Sequence, residues 1–270
     1  MSKWEVGIYS DSRSSSLSNK VLDHNEFRYY EEEHDYGGNY HHIDSECFDY
    51  ITPENKLEAL AVIEGISIIA NGAFALCYTD IRKVVDIDFS NIFYDKFSIS
   101  FTDINREYLM NPFIVIPHRQ KTLVGLSLGN PFHLITLSRK YEEIREILFQ
   151  IGSLVDNPNI SRNISAWTIL YAINDTILYY MEKKYKVVGE NKILIALGFS
   201  SSSSSDYKRF TGTANNYNYL GIYSRHGKRA WTPPPSPMNI EEACIFIFKL
   251  TRTFFNYANE KSFLEILDEE

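Results

Sequence analysis

The longest apolar stretch of the chain, Ala59 to Tyr78, limits the folds that the chain can adopt. It is long enough to cross a membrane, but Glu64 and Asn71 interrupt it. A membrane helix of this length normally excludes a carboxylate. The apolar residues nearly encircle a helix, which is typical of a helix buried between other elements of a soluble protein. Gly65 and Gly72 would let a neighbouring backbone approach this helix closely.

The start of this helix is predicted at Thr52-Pro53-Glu54. A hydroxyl side chain, then a proline in the first turn, then an acid is a typical helix N-terminus. We therefore expect a core helix from Thr52 to about Tyr78 and no attachment to a membrane.

Net charge and cysteine usage narrow the class of protein further. A formal net charge of −8 opposes a general attraction to nucleic acid, so any such binding must be local. The three cysteines, Cys47, Cys77 and Cys244, form no CxxC pair, so neither a disulfide framework nor a cysteine-rich zinc site is indicated. The first residues lack the apolar core of a signal peptide, and a cytoplasmic location is expected.

Short strands are predicted through the N-terminal half. Residues 4–9 form the first, and two segments alternate apolar and polar residues, Val85 to Phe89 and Phe97 to Phe101. Three further segments bordered by prolines are also predicted as short strands: Phe113–Ile116, Thr122–Leu128 and Phe132–Leu137.

From Ser138 onward, the apolar residues recur with the period of a helix. Ser138 is predicted as the N-cap of a helix that ends near Val155. Further helices are predicted from about Ser165, over Gly189–Phe199, over Asp206–Asn216 and from Asn239 onward. The serine run Ser200–Ser205 is predicted to be flexible except at its last residues, where Ser204 or Ser205 caps the next helix. The fold class is therefore α+β, with a strand-rich domain at 1–137 that contains one long buried helix and an all-helical bundle at 138–270.

The last helix has a clear start and an apolar surface. Asn239 and Glu242 form the asparagine version of a capping box. Phe246, Phe248 and Phe255 widen the apolar face, which predicts a homo-oligomer or a protein complex through this helix, with internal packing as the alternative.

A histidine-rich segment between His24 and Cys47 raises the question of a metal site. It contains His24, His34, His41, His42, Asp44 and Glu46. Imidazole and carboxylate groups suit zinc, manganese or iron. Gly37-Gly38 interrupts the segment and aromatic residues lie between the charges, which favours ordinary amphipathic strands. No metal ligand and no cofactor is assigned, and a metal-dependent enzyme ranks last among the functional hypotheses.

The window from Asp206 to Ala230 is locally basic in an acidic chain. The candidate catalytic residues there are Arg209, Asn216, Arg225 and His226. The imidazole of His226 can move a proton at a ribose hydroxyl or a leaving oxygen, while the guanidinium of Arg225 or Arg209 steadies the phosphate. Asn216 can orient either group.

Aromatic residues interleave with these cations. This combination is typical of proteins that stack the bases and hold the phosphates of single-stranded nucleic acid. The candidate RNA-binding residues are Lys208, Tyr223, Lys228, Arg229 and Trp231. Asn174 lies in the apolar stripe of the helix from Ser165, and we expect Asn174 or the adjacent Asp175 to contact the Arg225 region.

The order of the motifs R-F-T-x-T-A-N, from Arg209, R-H-G, from Arg225, and P-M-x-x-E-E-A, from Pro237, resembles a group of uncharacterised bacterial proteins, which implies no activity. The ending at His226-Gly227 before the last helix is also similar to HEPN proteins of prokaryotic defence and toxin systems. That resemblance implies a dimeric helical bundle that cleaves RNA without a metal.

Two functional hypotheses follow. One is a defence or toxin protein that cleaves RNA at His226 and its neighbouring arginines. The other is a non-catalytic binding or sensor protein whose basic, aromatic loop recognises RNA, a phage component or a partner protein. The sequence has no Walker loop, GxSxG elbow, GxGxxG or HExxH motif, so the corresponding chemistries have no motif support.

Overall fold

The computed structural model describes residues 4–9, 27–33, 39–79, 83–95, 97–98, 105–117, 127–155, 160, 164–199, 201–228 and 232–268. The chain divides into two units. The first comprises Met1–Cys77 and Arg82–Asp156, and the second comprises Tyr78–Ile81 and Asn157–Glu270. The first contains strands and a long buried helix, and the described part of the second is helical, which confirms the α+β class.

The first unit contains one antiparallel sheet. Its strands are β1 (Trp4–Ile8), β2 (Arg28–Glu33), β3 (Asn39–Asp44), β4 (Ile87–Tyr94) and β5 (Phe97–Ser98), in the order β2-β3-β1-β4-β5. In the central strand, Val6 pairs with Ile43 on one side and with Ile92 on the other, and all three are fully buried. The predicted first strand is confirmed, while β4 begins two residues later than predicted.

The long apolar stretch forms helix α1 (Lys56–Tyr78). It begins at Lys56, because the preceding residues fold into a turn in which the Asn55 N–H donates to the carbonyl of Thr52 at 3.2 Å. By length and composition α1 could cross a membrane, but 83% of its most apolar window is buried inside the structure. It is therefore the buried core helix that the carboxylate and the encircling apolar residues of its sequence predicted.

The segment after the sheet is helical where short strands were predicted. It contains α2 (Arg106–Met110), a 3-10 turn (Pro112–Val115), α3 (Pro131–Lys140) and α4 (Glu142–Val155). The prediction of strands at Phe113–Ile116 and Phe132–Leu137 was wrong. Pro112 and Pro131 occupy first-turn positions, where proline needs no N–H partner, and the Asn130 side chain caps α3 by accepting from the Phe132 N–H at 3.0 Å. The predicted strand at Thr122–Leu128 lies largely outside the described residues.

The boundary between the units differs from the predicted one at 137/138. Helix α4 belongs to the first unit because it crosses α1, and the division falls after Asp156. Ser138 is not an N-cap; it is buried inside α3, where its hydroxyl donates to the carbonyl of Ile135 at 2.7 Å. The next helix instead begins at Glu142.

The second unit contains a series of helices. These are α5 (Ala166–Lys183), α6 (Glu190–Ala196), α7 (Ser201–Ala214), α8 (Tyr217–Leu220), followed by a 3-10 turn at Gly221–Tyr223, and α9 (Ile240–Asp268). The prediction that the serine run is flexible was wrong, since Ser201–Ser205 form the first turns of α7. Helix α7 ends at Ala214.

Helix α9 packs its aromatic residues within the unit. Phe246, Phe248 and Phe255 are buried, so they add no apolar surface for a partner. Over residues 240–261 of α9, whose side chains the structure describes, Ile245 is the large apolar side chain that is exposed. Association through this helix stays a prediction.

The capping box of α9 is confirmed and predicts a measurable loss on mutation. The side chain of Asn239 accepts from the Glu242 N–H at 2.8 Å, and the Glu242 carboxylate accepts from the Asn239 N–H at 3.0 Å. We expect Asn239→Ala to lower the free energy of unfolding by about 1 kcal/mol, because the Glu242 N–H loses its side-chain acceptor. Urea denaturation followed by circular dichroism measures this. Asn256→Ala, at an exposed position inside the same helix, is the control and should cause no loss.

Candidate functional site

The basic window folds into a loop that is attached to the end of α7. We call residues 217–228 the Arg225 loop; it comprises α8, the 3-10 turn and Ser224–Lys228. The Arg225 N–H and the Ser224 hydroxyl both donate to the carbonyl of Ala214, at 2.9 and 3.3 Å. The last carbonyls of a helix lack partners within the helix, so this loop satisfies one of them and is thereby held in place.

The side chain of Arg225 joins this loop to helix α5. Its guanidinium donates to the Asp175 carboxylate at 3.0 Å and lies 3.8 Å from the centroid of the Tyr171 ring. The predicted contact between Asp175 and the Arg225 region is confirmed. Asp175 and Arg225 are 46% and 33% exposed, so the ion pair contributes at most about 1 kcal/mol, and its main effect is to orient the loop.

Tyr171 is itself held by the end of α7. Its hydroxyl accepts from the Asn215 side-chain amide at 3.4 Å, and its ring stacks on Phe210 with centroids 5.9 Å apart. Sequence reasoning placed Tyr171 only in an apolar stripe and missed its role as the surface on which Arg225 lies. Tyr171 and Asp175 are four residues apart on a helix, which puts them on one face and was the available signal.

Two buried side chains of the second unit, those of Tyr207 and Cys244, stay protonated at neutral pH. Burial raises the pKa of Tyr207 far above its ordinary value, and the Asn174 amide donates to the Tyr207 hydroxyl at 3.4 Å. Asn174 therefore has a bonding partner on α7, inside the bundle. Burial likewise raises the pKa of the Cys244 thiol to about 12, so this group supplies no thiolate at neutral pH.

Asn216, predicted to orient a phosphate or the imidazole, lies in the interior. It is 1% exposed, and its side-chain oxygen accepts from the Tyr219 N–H at 3.0 Å. Asn216 thus caps α8 and shapes the start of the Arg225 loop.

Arg209, predicted to hold a phosphate, instead holds the proline-rich segment before α9. Its guanidinium donates to the carbonyl of Ser236 at 2.8 Å and to the carboxylate of Asp206 at 3.1 Å, and lies 3.5 Å from the carboxylate of Glu242. Thr213, on the same face of α7, accepts from the Met238 N–H at 3.0 Å. This polar face therefore binds the chain's own segment.

Of the four catalytic candidates, Arg225 and His226 are neighbours in sequence and lie on the Arg225 loop, while Arg209 and Asn216 have other partners. His226 is half-buried, and its backbone N–H donates to the Ser224 hydroxyl at 3.2 Å. Of the RNA-binding candidates, Lys208 and Lys228 are exposed and Tyr223 is half-buried. Arg229 and Trp231 lie outside the described residues. The same loop exposes the apolar side chains of Tyr219 (50%) and Ile222 (65%).

The described part of the histidine-rich segment forms the strands β2 and β3, as the aromatic residues between its charges favoured. In the described part, Tyr29 and His41 form a hydrogen bond and Tyr30 stacks on His42. The acids of the segment pair with arginines: Asp44 with Arg28 at 2.5 Å and Glu46 with Arg139 at 3.0 Å. Within the described residues no group of three His, Cys, Asp or Glu side chains could hold a metal ion. His24 and His34 lie outside those residues.

Comparison of the chain with models of known protein families, with curated proteins and with solved structures found no match.

Proposed function

We propose that the chain is a non-catalytic binding protein that holds single-stranded RNA on the Arg225 loop. The supporting observation is the contact of the Arg225 guanidinium with Tyr171 and Asp175 of α5. This contact fixes a short loop that would otherwise lose conformational entropy on binding. A loop oriented in advance can present its side chains to a ligand at a lower cost.

The exposed side chains of the loop suit a nucleic-acid strand. The Tyr219 ring is half exposed and available for base stacking, which contributes about 1–3 kcal/mol per base. The ammonium group of Lys228 is exposed on the same loop, and Lys228 is suited to contact phosphate. Because the whole chain carries a net charge of −8, we expect weak binding at this one surface, with a salt dependence set by the few phosphate contacts made there.

The contacts that the candidate catalytic residues already make support RNA binding over RNA cleavage. Both Arg209 and Arg225 already face carboxylates, which reduces their ability to stabilise negative charge on a phosphate. Asn216 is buried and caps α8. Metal-independent RNA cleavage at His226 is the competing proposal, and a role in prokaryotic defence rests on the resemblance to HEPN proteins alone.

The test of this proposal is a titration of fluorescently labelled single-stranded RNA followed by anisotropy. We expect Tyr219→Ala to weaken binding roughly tenfold through loss of stacking. Lys228→Gln should weaken binding and lower the slope of log K against log salt by about 0.7, the value for one phosphate contact with a single strand.

Matched controls separate this surface from general effects. Tyr179, 56% exposed on α5, and Lys192, exposed on α6, offer the same side chains elsewhere in the second unit. Tyr179→Ala and Lys192→Gln should leave the affinity unchanged. Equal losses in the controls, or absence of saturable binding by the unmodified chain, would reject the proposed surface.

A further inference from the structure

A cleft in the second unit lies between α7, the proline-rich segment and α9. Its volume is about 280 Å³. The apolar side chains that line it are Phe199, Met238, Ile245 and Phe246. Pockets that bind drug-sized molecules typically measure about 300–1,000 Å³, and this cleft lies just below that range, so it suits only a small ligand.

Two buried aromatic rings line the cleft. Phe199 and Phe246 are each only 7% exposed and pack edge to face with ring centroids 6.1 Å apart. Met238 is buried beside them, and Ile245 at the cleft is 66% exposed. An exposed isoleucine beside buried aromatic rings provides apolar area that an apolar ligand would cover.

The acidic and basic groups that line the cleft differ in the partners that they already have. The carboxylates of Asp206 and Glu242 both pair with Arg209, and Glu242 also accepts from the Asn239 N–H. By contrast, the Lys249 ammonium lies over the Phe199 ring, 5.5 Å from the ring centroid. The cation at Lys249 is thus the charge best able to engage a ligand.

We propose that this cleft binds a small amphipathic anion, an aromatic body that carries one carboxylate. The aromatic body would lie against Phe199, Phe246 and Ile245, and the carboxylate would pair with Lys249. This site does not depend on RNA binding by the Arg225 loop. It also assigns Arg209, a catalytic candidate by sequence, to the wall of a separate binding site.

The probe for this site is 3-phenylpropanoate, compared with the neutral 3-phenylpropanamide and the cationic 3-phenylpropylamine. Titrations of the full chain with ¹³C-labelled methionine methyl groups are followed by NMR, and Met238→Leu identifies the Met238 signal. We expect the carboxylate to shift the Met238 signal saturably, with a dissociation constant on the order of 1 mM for so small a ligand. The amide and the amine should bind more weakly.

Lys249→Gln tests the charge assignment. It should weaken binding of the carboxylate by roughly fivefold and remove the preference for it over the amide. Lys261→Gln is the matched control, since Lys261 is exposed on the same helix and lies 5.6 Å from the Tyr257 ring centroid. The proposal is overturned if the Met238 signal does not respond, if the amine binds best, or if both lysine variants behave alike.

Discussion

Replacing Gly72 with alanine is expected to lower the free energy of unfolding of the first unit by about 3 kcal/mol or more. A Cβ at this position would lie 1.9 Å from the carbonyl oxygen of Leu148 and 3.1 Å from the Gly152 nitrogen, both in α4. The contact is reciprocal, because a Cβ at Gly152 would lie 1.9 Å from the carbonyl oxygen of Ile68 in α1. Backbone atoms cannot move aside as a flexible side chain can, so the two helices must separate.

The measurement is urea denaturation with Gly129→Ala as the control. Gly129 is exposed in the same unit, and an added Cβ there would have its nearest neighbour, the Ser127 hydroxyl oxygen, at 3.7 Å. We expect the control to change stability by less than about 1 kcal/mol. A Gly72→Ala protein as stable as the control would show that α1 and α4 do not cross at this point.

Replacing Asn71 with leucine is the second change expected to have a large effect, about 3 kcal/mol. The Asn71 side chain is 2% exposed, accepts from the N–H groups of Val84 and Val85 at 2.8 Å each, and donates to the Val85 carbonyl at 2.7 Å. Leucine has a similar size but cannot form these bonds. The backbone groups before β4 would then be left buried without partners, at a cost of about 1–3 kcal/mol for each lost partner.

The control for this variant is Ser67→Ala in the same helix. Ser67 is also buried, but its hydroxyl donates only to its own helix, at the Glu64 carbonyl, so we expect a loss below about 1 kcal/mol. Urea denaturation gives the stability, and hydrogen exchange at the Val85 amide reports the local bond. Unchanged protection of Val85 in Asn71→Leu would contradict the bonding scheme.

These two residues show what the apolar stretch could and could not reveal. The sequence predicted a buried helix whose glycines admit another backbone, because glycine has no Cβ to hold a neighbouring helix away. The identity of the partners, α4 for Gly72 and the residues before β4 for Asn71, depends on contacts between distant segments. No local pattern specifies such contacts.

Local signals were reliable where the physical cause was local. The reciprocal capping of Asn239 and Glu242 spans a few residues and was predicted correctly. Pro131 was misread because proline both limits strands and begins helices, and only the Asn130 cap before it favours the helix. The proline at the border of residues 132–137 was therefore taken as the limit of a strand, although it begins a helix.

The candidate site was predicted only in part, because some of its contacts join segments that are distant in the sequence. Asn174 or Asp175 was expected near Arg225, since a buried amide needs a hydrogen-bond partner; Asp175 makes this contact, while Asn174 bonds Tyr207. Arg209 was expected beside His226, but its partners are Ser236, Asp206 and Glu242, because the proline-rich segment returns along α7. The route of that segment cannot be derived from its composition.

The most direct test of the proposed function is one titration of end-labelled single-stranded RNA, followed by anisotropy and then by a denaturing gel on the same samples. We expect saturable binding that Tyr219→Ala weakens roughly tenfold, while the RNA stays at full length in every sample. Full-strength binding by Tyr219→Ala would contradict the assigned surface. RNA shortened by the unmodified chain and left intact by His226→Ala would contradict the non-catalytic assignment and favour cleavage.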